Sequence, residues 1–137
     1  MVNKTHRRFI DTTRIRAAVE SDRRATNAPI HVSIAPYFWG NVRKSAERAF
    51  RKHGFANTPE RNAVLFFIVP SRREFAIIGD VAAHAALGQR VWDATVAVVR
   101  ESILCEDATS ALLRGIETID RALSEHFPRT QQTQERP

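Results

Sequence analysis

The sequence predicts an α/β fold, specifically an α/β/α sandwich in which a small mixed β-sheet is flanked by helices. Three observations carry this expectation. "NAVLFFIV" (62–69) is apolar almost without interruption, the pattern of a central strand covered on both faces. "EFAIIGD" (74–80) follows after only "PSRR", so the two segments read as an antiparallel hairpin. Segments of helical period precede and follow this pair, and 137 residues, 43% of them hydrophobic, suffice for one core and not for two.

Taken in chain order, Ile15, Ala18 and Val19 with charges between them predict an amphipathic helix over Thr12 to Arg24, punctuated by "TNAP". "IHVSIAPY" then alternates Ile30, Val32 and Ile34 with His31, Ser33 and Ala35, the period of a half-buried strand. Val42, Ala46, Ala49 and Phe50 mark a second helix, stopped by Gly54 where a left-handed C-cap places glycine. A strand, a helix and a second strand in this order predict a parallel pair with a right-handed crossover. After the hairpin, "VAAHAALG" reads as a short helical piece, and Val91, Trp92, Thr95, Val96, Val99 and Ile103 continue at helical spacing. Asp107 is placed to cap a last helix with the stripe Leu112, Ile116, Ile119, Leu123 and Phe127. A single domain over 1–128 is expected, with a disordered tail over 129–137, because "PRTQQTQERP" contains no apolar residue.

Composition narrows the function classes. The longest apolar run, Ala63 to Pro70, falls far short of the ~20 residues of a membrane helix. "MVNKTHRRFIDTTRIR" carries charges where a signal peptide is apolar, so a soluble, cytoplasmic protein without a membrane span is expected. The lone Cys105 forms no internal disulfide, and a buried or idle thiol is expected there. Basic residues outnumber acidic ones 21 to 15, for a net charge of +6. They are dispersed along the chain, which argues against nucleic acid as the partner. The densest group, Arg43, Lys44, Arg48, Arg51 and Lys52 on the second helix, is either an anionic-partner surface or a solvated helix face. Tyr37, Phe38 and Trp39 are either core anchors or a stacking surface.

The residue patterns "TPERNAVLFFIVPSRREFAIIGD", "TNAPIHV", "RKHGF", Trp92 and "LSEHFP", in this order and spacing, resemble the TPM domain family over roughly Ile10 to Pro128. The resemblance is to its short versions without signal or membrane segments. It implies an α/β/α domain, with divalent-cation binding, often calcium, and phosphatase activity reported for some members. The chain departs from the family pattern at Pro29, where a glutamate is usual, and at Val81-Ala82, where an acidic-glycine pair commonly follows "G-D".

Four residues are candidates for chemistry. Asp80, between a strand and a helix, is either a ligand for a divalent cation such as calcium or magnesium, or the cap of the following helix. His84 lies one helical turn on and either pairs with Asp80 or is simply packed. Arg61 is suited to hold a phosphate in its planar fork, and Asn62 either supports it or shapes the "NTPERN" turn. There is no G-x-S-x-G, P-loop or G-x-G-x-x-G motif, so any phosphoester hydrolysis would be metal-assisted. Two functions are therefore expected as alternatives: a divalent-cation-binding, phosphatase-like domain, or a non-catalytic module that binds an unknown protein partner.

Overall fold

In the computed structural model, which describes residues 10–35 and 40–129, each α-helix starts at an aspartate or asparagine whose side chain accepts a backbone N–H. Asp11 caps α1 (Thr12–Ala25) through Arg14 N at 3.2 Å, and Asn41 caps α2 (Val42–Lys52) through Lys44 N at 2.8 Å. Asp80 caps α3 (Val81–Cys105) through Val81 N at 2.8 Å, and Asp107 caps α4 (Ala108–His126) through Ser110 N at 2.7 Å. Short polar side chains fit there because the first turn of a helix has amides with no intrahelical partner.

Three strands form one sheet in the order β1 (Ile30–Ile34), β2 (Val64–Val69), β3 (Glu74–Gly79). β1 runs parallel to β2, with Ile30 opposite Val64; β3 runs antiparallel, with Gly79 opposite Val64. All six residues of β2 are buried, as its unbroken apolar run requires. Val64, Phe66 and Ile68 join Ile15 of α1, Val99 of α3 and Leu112, Ile116 and Ile119 of α4 in one core. Leu65, Phe67 and Val69 meet Val42, Ala46 and Phe50 of α2 in a second. Helices thus cover both faces of a small mixed sheet, the sandwich expected from the sequence.

The hairpin turns through a 3₁₀ segment, Pro70–Arg72, and Arg73 closes it in the left-handed region at φ 54°. Gly88, at φ 81° and ψ 161°, interrupts α3, dividing "VAAHAALG" from the longer helical piece as the sequence pattern suggested. No helix among the described residues is long and apolar enough to cross a membrane. Cys105 is exposed rather than buried, because it ends α3 just where the chain turns away at Glu106. Tyr37, Phe38, Trp39, His6 and residues 130–137 lie outside the described residues.

Candidate functional site

Arg61 and Asp80 are 19 residues apart, yet the hairpin brings them together at its open end. The antiparallel register continues beyond the strands: Asp80 N donates to Ala63 O and Ala82 N to Arg61 O, each at 2.9 Å. Arg61 Nε then donates to Asp80 Oδ2 at 2.7 Å, and Arg61 Nη2 to Oδ1 at 2.8 Å. This is a fork-on-carboxylate pair, stronger and more directional than a point-charge contact. Oδ1 also accepts Val81 N, so the same carboxylate closes the hairpin and caps α3.

The corner is asymmetric in solvent. The Asp80 side chain is 4% exposed and that of Arg61 is 50% exposed. The Arg61 hydrogen bonds hold the Asp80 carboxyl below its usual range, against the opposing effect of burial; the Val81 amide and the arginine charge add to the lowering. Asp80 in turn pushes the Arg61 guanidinium further up. Arg61 adopts φ 52°, a conformation that strains a residue with a Cβ. The hydrogen bond its carbonyl accepts from Ala82 N and the two hydrogen bonds its guanidinium donates to Asp80 maintain it.

The neighbouring candidates serve other contacts. Asn62 is buried, and its Nδ2 donates to the Glu60 side chain, at Oε1, at 3.0 Å. His84 does not join Asp80 through its ring: its backbone N–H donates to Asp80 O, while the imidazole tilts over Trp92 at 4.9 Å between centroids. His31 stacks flat on Phe55 at 3.9 Å, and burial pushes its pKa down. Of the four candidates, the structure unites Arg61 and Asp80 and leaves Asn62 bonded to Glu60 and His84 packed on Trp92.

A hard divalent cation takes six or more oxygens, several of them usually carboxylates. At this corner the donor set is a single carboxylate whose oxygens are already engaged by a guanidinium and an amide. Among the described residues no three His, Cys, Asp or Glu side chains converge. The residues present do not fit such a cation. Where the family pattern has an acidic-glycine pair, Val81 and Ala82 here donate their amides to the corner itself.

Replacing Asp80 with alanine removes the α3 cap and leaves Arg61 without its partner. Loss of the cap alone is expected to lower stability by about 1 kcal/mol, read by chemical unfolding. Because the folded pKa of Asp80 is depressed, its stabilisation is present above the ordinary carboxylate value and lost as pH falls through the folded one. Arg61→Ala should therefore shift the acid-unfolding limb to higher pH while the fold persists at neutral pH.

The sequence pattern of the TPM domain matches residues 9–122. The chain belongs to the TPM domain family. Among solved structures, this TPM domain is similar to the BA42 protein of the psychrophilic bacterium Bizionia argentinensis, with a TM-score of 0.81 and 23% identity over 90% of this chain and 87% of that one. It is also similar to the N-terminal domain of the cg2496 protein of Corynebacterium glutamicum, with a TM-score of 0.64 and 21% identity over 82% and 71% of the two chains. At these identities the likeness is one of fold. No curated protein matches the sequence.

Missed in the sequence was the pairing itself, although both partners were candidates. The hairpin register was the available signal: with Val64 opposite Gly79, Asp80 falls opposite Ala63 and Arg61 opposite Ala82, which makes Arg61 and Asp80 diagonal neighbours across the pair. A second missed feature is Asp22, which continues the Ile15, Ala18, Val19 stripe at helical spacing and is 1% exposed. A carboxylate on an apolar stripe was the available signal.

Proposed function

We propose that this TPM domain is a non-catalytic module that binds another protein, with the Arg61–Asp80 corner acting as a structural brace. The observation that carries the reading is the occupancy of both Asp80 oxygens by Arg61 and the Val81 amide. A divalent cation would have to displace a guanidinium already seated there, and the displaced positive charge would remain one side-chain length away. The rival reading, a divalent-cation-binding and phosphatase-like domain, comes with family membership and rests on Asp80 lying at the end of a sheet strand.

Thermal unfolding of chelator-treated protein with and without calcium, magnesium, manganese or zinc separates the two. A ligand that binds only the native state at a hundred times its Kd adds about 2.7 kcal/mol. The brace reading expects no metal-dependent rise in Tm for the wild type. A rise with one metal that disappears in Asp80→Ala would overturn it and restore the hydrolase reading.

A further inference from the structure

β3 is an edge strand, and a groove of about 400 Å³ runs along its outer side. Consecutive residues Arg73 to Ile77 line it, together with Val42 and Arg43 of α2 and Val96, Arg100 and Leu104 of α3. Successive strand residues point to opposite faces of a sheet, so a groove lined by all of them lies at the edge and is walled by a helix from each layer. Its floor is apolar: Ile77 is 3% exposed, Phe75 is half-buried, and Leu104, a large apolar side chain, is 51% exposed. The ladder leaves the Phe75 backbone pointing outward, because the Asp80 N to Ala63 O bond fixes residues 74, 76 and 78 as those facing β2.

The rim is basic. The guanidinium groups of Arg73 and Arg100 make no hydrogen bond or ion pair among the described residues, while Arg43 pairs with Glu47 at 3.1 Å. The one acidic residue in the lining, Glu74, is held by Arg72 at 2.7 Å. Two unpaired arginines over an apolar floor and an outward-facing backbone call for a ligand with carboxylates, an apolar side chain and a backbone of its own. The chain's own N-terminal stretch, with Lys4, Arg7 and Arg8, has the wrong charge to fill the groove.

We propose that the β3-edge groove binds an extended acidic segment of a partner protein, seating an apolar side chain against Phe75 and Leu104 and its flanking carboxylates on Arg73 and Arg100. This inference names a partner and a surface for the binding-module reading. It is tested apart from that reading, since cation binding at Asp80 would refute the brace without touching the groove.

The probe is a fluorescein-labelled peptide, Glu-Asp-Glu-Leu-Val-Glu-Asp, titrated with the full chain and followed by anisotropy. Two control peptides replace either the acids with lysine or Leu-Val with Ser-Ser. Saturable binding of the acidic apolar peptide is expected, with neither control binding. It should weaken about tenfold in the Arg73→Glu, Arg100→Glu double variant, and Leu104→Ser should weaken it as well. Absence of saturable binding would overturn the proposal, as would equal binding of the Ser-Ser peptide, which would reduce the interaction to charge alone. A dimer in sedimentation that Leu104→Ser dissociates would instead give the groove to a second copy of this chain.

Discussion

Asp22→Asn is expected to make the protein more stable than the wild type in alkaline solution, by a margin that grows as pH rises. Asp22 lies in α1 against α4, 1% exposed, and its Oδ1 has no hydrogen-bond partner. Burial, then the hydrogen bond and the charge of Asp120, push its carboxyl pKa from 3.8 up to about 9, so it stays protonated at neutral pH. The unfolded chain releases that proton near the ordinary carboxylate value while the folded chain keeps it. The stabilisation is therefore complete below pH 3.8 and is lost progressively as pH rises toward 9. Between these limits the loss approaches about 1.4 kcal/mol per pH unit. Asparagine keeps a donor for Asp120 and has no proton to lose, so its stability should stay flat over the same interval. Chemical unfolding at pH 6, 7, 8 and 9 measures this, and parallel curves for the two proteins would refute it.

Gly79→Ala is expected to destabilise the protein by about 1–3 kcal/mol, the usual cost of overpacking a filled core. A Cβ at Gly79 would collide with Cη2 of Trp92 and stand 3.1 Å from both Cζ2 and Cζ3. The indole ring is rigid and buried, and His84 rests against it, so the part of α3 that carries Trp92, beyond the Gly88 break, must shift to make room. Combining Gly79→Ala with Trp92→Phe should recover part of the loss, giving less than additive destabilisation. Strict additivity would mean that the ring is not the obstacle.

The order of elements was readable in the sequence because each is a local pattern. "NAVLFFIV" could only be covered on both faces, "IHVSI" alternated, and Asp80 and Asp107 stood where helices begin. The candidate corner was half readable. Arg61 and Asp80 were recognisable as chemically capable residues, but the sequence left Asp80 open between ligand and cap. The tertiary structure added a third role, an ion pair, because only the continued β2–β3 register carries the guanidinium over the carboxylate. His84 illustrates the opposite limit: helical spacing allowed it to face Asp80, but Trp92, eight residues further on and beyond the Gly88 break, holds its ring instead.

By itself, then, the sequence determined the α/β/α architecture, the hairpin and the family, since periodicity and turn residues act over a few positions and survive any change of neighbours. The tertiary structure alone decided which charges meet, that Asp22 is buried and protonated, and that an arginine-rimmed groove lines the edge of β3. Those properties depend on desolvation and on distances between residues remote in the chain, and neither quantity is a function of local pattern.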